Sequence, residues 1–256
     1  MIFDSLTFAV FLPITFLVYW AVSHKYRWIF LLAANYWFYM SGSARYGLLL
    51  TVTMAVTYVC ALQIERRPAG KGRKFFLWLG AGFPLAALLY FKYASFLWKT
   101  VLYLAKALSA PAKELVGYDL LLQVIIPLGI SFYTFKAVSY VVDVYRGRQR
   151  AERHFGYYAC FLSYFPDVIS GPIDRAEILL PQLKKDKRFC YEDGVYALRM
   201  MLLGYAKKLL LADVLTGYTD MIFNNVTHYS GFTLLFASFL GTLILRWAYP
   251  NCSAST

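Results

Sequence analysis

A chain of 256 residues that is 60% hydrophobic, only 16% charged and of mean hydropathy +0.51 is too apolar for an ordinary soluble domain, which is nearer half apolar and a quarter charged. Its apolar residues come in blocks and not in short alternating strands, which excludes a transmembrane β-barrel and predicts an all-α, polytopic membrane protein. A net charge of +12 would suit nucleic acid in a soluble protein; here the lysines and arginines fill short loops between blocks, so the expected partner is the lipid bilayer and no nucleic acid.

The first block, residues 8–22, predicts a membrane-crossing helix in which Pro13 is tolerable because neighbouring helices can satisfy freed backbone groups. Asp4 ahead of it and Tyr19, Trp20, His24 and Lys25 at its end leave neither a basic leader nor a small-residue cleavage site, so it reads as an anchor and not a removed signal peptide. Lys25 and Arg27 lead into an aromatic-ended block at 28–40, closed by Ser41-Gly42-Ser43. A third block at 46–64 precedes the basic loop Arg66, Arg67, Lys71, Arg73 and Lys74, and a fourth covers 75–91. Residues 92–113 place Lys92, Lys99, Lys106 and Lys113 at heptad spacing on one face, which reads as an interfacial amphipathic helix, with a short extra span as the alternative. The fifth block, 120–145, holds Lys136 near its centre and runs into Arg146, Arg148 and Arg150. Residues 154–172 are apolar and aromatic but broken by Pro166 and Gly171-Pro172. A sixth block at 195–216 carries Lys207 and Lys208 near its middle, and a last one covers 231–244.

Cationic loops mark the cytoplasmic side. Arg146, Arg148, Arg150 and Arg153 precede the broken stretch, and Lys184, Lys185, Lys187 and Arg188 follow it. With both ends on one side the stretch cannot cross once, so a re-entrant segment is expected. Its proline and glycine breaks are permitted if protein or water surrounds them.

Ionisable residues inside apolar blocks are costly and mark functional or paired positions. Lys136, a turn from Tyr133 and Tyr140 and with Asp143 seven residues on along the same face, is either a functional wall residue, half of a structural ion pair with a carboxylate, or a side chain snorkelling to the interface. Asp167 and the pair Asp174-Arg175 flank the expected re-entrant turn. Lys207 and Lys208 point to different helix faces, so at least one turns inward, with Asp213 as a possible partner. Cys60, Cys160, Cys190 and Cys252 lack metal-ligand spacing and read as small hydrophobes; no metal site is expected.

Four ordered stretches carry a family resemblance: FYTFKAVSYVVDVYRG (132–147), FLSYFPDVISGPIDR (161–175), PQL (181–183) and LGYAKKLLLAD (203–213). Together with the opening MIFDSLTFAVFLPITFLVYW they resemble the membrane-bound O-acyltransferase family. The nearest branch is the alginate-type bacterial polysaccharide O-acetylases, with the D-alanyl transfer proteins of teichoic acid as cousins. Over residues 1–240 the resemblance implies the N-terminal half of that fold, a ring of tilted helices around a water-filled funnel. It implies transfer of an acetyl-type group from a thioester donor such as acetyl-CoA, with no tightly bound cofactor, to hydroxyls of an extracytoplasmic polysaccharide, served by an outer-side acyltransferase partner. Lys136, Asp143, Asp167, Lys207 and Lys208 would line the funnel. The family's catalytic histidine lies in a Trp-rich stretch, and none of His24, His154 and His228 sits in one, so no residue here inherits that role. A general base of near-neutral pKa would be needed on the acceptor hydroxyl.

Residues 241–256 depart from the family pattern. A coding string for them can be written whose shifted frame reads YSDIALGVSKLFGID, similar to the family's continuation, so a frameshifted tail and a catalytically incomplete chain are expected. A non-enzymatic membrane component, one half of a split enzyme, or a transporter of lipid-linked intermediates is the alternative.

Overall fold

The computed structural model describes residues 6–41, 44–107, 127, 129–168, 174–186, 189–226 and 229–248, and every regular element among them is helical. They divide into two compact units, Met1–Asp186 and Lys187–Thr256.

In the first unit α1 (Leu6–Ala21), α2 (His24–Met40) and α3 (Ala44–Arg66) follow the first three apolar blocks within a few residues. Helix α4 (Lys71–Ala107) differs from expectation, because the fourth block and the lysine-bearing segment after it form one helix of 37 residues. At 1.5 Å per residue that is about 55 Å, longer than a hydrocarbon core of about 30 Å. Nothing between residues 91 and 92 breaks helical geometry, so Lys92, Lys99 and Lys106 sit on an extension of α4; residues 108–113, Lys113 among them, fall outside the described residues. Helix α5 (Ile130–Arg146) begins later than the block at 120–145, because Gly129 before it holds a left-handed φ of 68° that no continuing helix allows; residues 120–126 are not described.

The broken stretch becomes α6 (Phe155–Ser163), a kink at Tyr164, α7 (Phe165–Val168) and α8 (Ala176–Lys184). Lys184 at the end of α8 forms an ion pair with Glu152, just ahead of α6, so the segment returns to the end of the unit from which it left. Other basic loops gather at that same end. Arg27 and His24 reach Asp186, at 3.9 and 3.6 Å. Tyr58 in α3 donates to the Arg153 carbonyl, and Arg73 at the start of α4 donates to the Tyr145 carbonyl at 2.6 Å. The α1–α2, α3–α4 and α5–α6 connections and the end of α8 thus meet at one cationic end, as the loop charges require.

The core between α3, α5 and α6 is aromatic. The Tyr140 and Tyr158 rings pack with centroids 4.7 Å apart and planes tilted by 40°, and the Tyr158 hydroxyl lies 2.7 Å from Thr57 Oγ1. Thr57 already donates to the Thr53 carbonyl at 2.6 Å, so Tyr158 is the donor in that pair. Thr57→Val therefore strands a buried donor, at about 1–3 kcal/mol, whereas Tyr158→Phe loses about 1 kcal/mol. Thermal unfolding in detergent is expected to rank the two in that order, and the reverse order would refute the assignment.

The second unit contains α9 (Tyr191–Lys207), a π-helical turn at Lys208–Ala212, α10 (Asp213–Asn224) and α11 (Gly231–Ala248). The sixth block is thus two helices joined by a turn in which the Asp213 amide donates to the Lys208 carbonyl. The extra residue of such a turn shifts the helical register, often at functional positions. Among the described residues, two helical segments, Tyr46–Arg66 and Lys71–Tyr93, are long and apolar enough to cross a membrane.

Candidate functional site

Two of the predicted ionisable residues, Lys136 and Asp167, meet at the broken stretch α6–α7. Lys136, on the second turn of α5, is 1% exposed, and its Nζ lies 3.0 Å from Asp167 Oδ2. The same ammonium donates to the Phe161 carbonyl at 3.3 Å and stands over the Phe161 ring at 5.0 Å. Both contacts follow from the break in the chain. Tyr164 leaves the helix and Pro166 has no N–H, so the last carbonyls of α6 lack their intrahelical donors. A cation placed there meets both an orphan carbonyl and the negative end of the helix dipole. Asp167 falls in the short helix beyond the break, with Asp174 beside its carboxyl group.

Asn35 was not singled out by sequence. It is 0% exposed on α2 and binds the break directly. Its Oδ1 accepts from the Phe165 amide at 3.2 Å, and its Nδ2 donates to Ser163 Oγ at 3.2 Å and to the Cys160 carbonyl at 3.5 Å. The available signal was a carboxamide inside the apolar block 28–40, where an unpartnered amide is costly.

The remaining candidates take other places. Asp143 does not pair with Lys136; it accepts from Ser139 at 3.5 Å and faces Arg148 at 3.7 Å, near the basic end of α5. Seven residues of helix separate two side chains by about 10 Å along the axis, too far for a direct bond. Lys207 and Lys208 lie in the second unit, both half-buried at the junction of α9 and the π turn, and Asp213 forms no ion pair with Lys207. His24 is turned to Asp186, His154 packs against Trp28 and Tyr157 at 4.9 Å each, and His228 lies outside the described residues. Cys60 and Cys160 are buried and free, and Cys190 is exposed. A shallow groove of about 320 Å³ between α3 and α4, lined by Ala55, Val59, Cys60, Phe76 and Leu79, offers no polar group for chemistry.

Chemically, the site is one ammonium paired with one carboxylate, Asp167, with a second carboxyl group, Asp174, beside the first. Lys136 is engaged by Asp167 and by a backbone carbonyl, which leaves it poorly placed to bind a phosphate. The spare carboxylate oxygens are acceptors and suit hydroxyl groups.

Several known proteins are similar to this chain. One, described as a probable alginate O-acetylase from Pseudomonas putida, is 34% identical over 233 residues, covering 87% of this chain and 45% of the relative. A peptidoglycan O-acetyltransferase of Helicobacter pylori is 27% identical, covering 86% of this chain and 46% of its own. A teichoic acid D-alanyltransferase of Bacillus subtilis is 26% identical over 124 residues, 48% of this chain and 29% of the relative. The chain therefore spans less than half the length of the curated relatives it matches. No family model and no solved structure matches it.

Proposed function

We propose that this chain, a homologue of the bacterial O-acetylases of the membrane-bound O-acyltransferase family, belongs to a multi-pass cell-membrane enzyme acetylating an extracytoplasmic polysaccharide. The donor is an acyl thioester such as acetyl-CoA on the cytoplasmic side, the acceptor an alginate-type polymer, and an outer-side acyltransferase partner completes the transfer. In this reading the first unit is embedded in the bilayer with its basic end at the cytoplasmic face, and α6–α8 enter and return as a re-entrant hairpin.

The observation that carries the reading is the depth of the Lys136–Asp167 pair. Lys136 precedes Arg146, at the basic end, by ten residues of helix, or about 15 Å, half of a hydrocarbon core of about 30 Å. An ionisable pair at mid-depth, at a break in the chain, marks a polar passage more than a lipid-facing wall. The apolar exterior agrees: Trp37, Leu48, Phe75 and Trp78 are exposed on α2, α3 and α4, where lipid would cover them. The acidic excess favours the hydroxyl-bearing acceptor over the anionic donor as the group that approaches Asp167 and Asp174.

A second reading, one half of a split enzyme or a non-enzymatic component, is favoured by the histidines. Neither His24 nor His154 is a partner of the Lys136–Asp167 pair, and each is engaged elsewhere. Membranes holding the chain, alone or co-expressed with the part of a homologous O-acetylase it does not match, are supplied with labelled acetyl-CoA and de-acetylated alginate. Label in the polymer only on co-expression, lost in Asp167→Asn, supports an acetylase part. Export of a lipid-linked intermediate without polymer acetylation supports a transporter, and no label under any condition refutes the acetylase.

A further inference from the structure

We infer that Asn35 is the positioning residue of this site: its carboxamide splices the break between α6 and α7 and thereby holds Asp167 against Lys136. In an unbroken helix the Phe165 amide would donate to the Phe161 carbonyl, four residues back. Here that amide turns to Asn35 Oδ1 at 3.2 Å, and the Phe161 carbonyl, left vacant, accepts from Lys136 Nζ at 3.3 Å. One exchange of donors thus opens the helix and creates a seat for the ammonium.

The other half of the carboxamide fixes the geometry. Its two N–H groups go to Ser163 Oγ and the Cys160 carbonyl, while Ser163 sends its own proton to the Ala159 carbonyl at 2.7 Å. All of Asn35 is therefore used, and the residue is fully buried. Without the Oδ1 acceptor, the Phe165 amide has one nearby option, the Phe161 carbonyl. Taking it evicts Lys136 and rotates α7, with Asp167 two residues further on, out of register with the ammonium.

The functional meaning of this rests on the reading of Lys136 and Asp167 as part of the acyl-transfer site, but the test reads geometry alone. The full chain in detergent is treated with an amine-reactive succinimidyl ester that partitions into apolar surroundings, and modification of Lys136 is followed by peptide mass spectrometry. A buried, ion-paired ammonium is unreactive; an amine freed from its carboxylate is not. Asn35→Leu, which lacks the acceptor, is expected to raise the labelling rate of Lys136 at least tenfold, as Asp167→Asn does. Asn35→Asp keeps the acceptor for Phe165 but loses both donors, and is expected to label at a rate between those of the unaltered chain and Asn35→Leu. Thr57→Val serves as a control that destabilises the fold without touching the break. Should Asn35→Leu fail to accumulate, Asn35→Ser, too short to reach Phe165, is read in its place. Labelling unchanged in the Leu or Ser variant, equal in the Asp and Leu variants, or raised as much in Thr57→Val would overturn the assignment. None of these outcomes depends on acetyl transfer.

Discussion

Lys136→Met is expected to strip the membrane of folded protein, and Lys136→Met combined with Asp167→Leu to restore most of it. The single change leaves Asp167, 12% exposed and beside Asp174, with its counter-ion gone. Breaking one side of a buried pair costs about 3–5 kcal/mol, while replacing both sides with apolar groups is often neutral. Against a stability of about 5–15 kcal/mol that loss is decisive. The double variant removes the stranded carboxylate but leaves the Phe161 carbonyl without its donor, so a deficit of about 1–3 kcal/mol remains. Size-exclusion profiles after heating, in detergent, give the order unaltered, double, single. A single variant as stable as the unaltered chain would mean that the pair contributes nothing to holding the hairpin.

Gly129→Ala is the second large effect, and Gly147→Ala is its internal control. Both glycines hold left-handed backbone, φ 68° and 72°. For a residue with a Cβ that conformation costs about 1–2 kcal/mol. At Gly147, which closes α5, an added Cβ meets nothing within 4 Å, so the conformational cost is all that is expected. At Gly129 the Cβ would be driven into the carbonyl oxygen of Val168, at the end of α7. Backbone cannot yield as a side-chain tip can, and α7 must move away from α5, taking Asp167 with it. Gly129→Ala should therefore fail to give a monodisperse species under conditions where Gly147→Ala merely loses a few degrees of unfolding midpoint. Equal behaviour of the two would show that α5 and α7 do not approach as closely as described.

These residues show why the site was only half legible in the chain. Apolar blocks bounded by arginine and lysine fix α1, α2 and α3 within a few residues, because a helix of that composition has few other fates. The charge count around 154–172 predicts a re-entrant segment; the Glu152–Lys184 ion pair brings the two flanks of that stretch together, which agrees with such a course without placing it in a bilayer. Lys136 stood out for the same reason, but its partner could not be read. Helical spacing pointed to Asp143 on its own helix, whereas the carboxylate that reaches it is 31 residues away, brought back by a turn whose geometry rests on tertiary contacts. Asn35 was passed over because a lone asparagine in an aromatic block has no periodicity, and its three partners lie at least 125 residues away. The lysines in the second half of α4 act in the opposite sense, since a regular heptad spacing marks a face but says nothing about where a helix begins.

Thiol accessibility across the membrane tests the hairpin most directly. With Cys190 and Cys252 replaced by serine, single cysteines at Arg153, Lys185 and Ser41 are exposed to a membrane-impermeant maleimide on intact cells and on inverted vesicles. Cysteines at 153 and 185 should both react only from the cytoplasmic face and the one at 41 only from outside. Reaction of 153 and 185 from opposite faces would make the segment a single crossing and contradict the proposed mid-depth position of the Lys136–Asp167 pair.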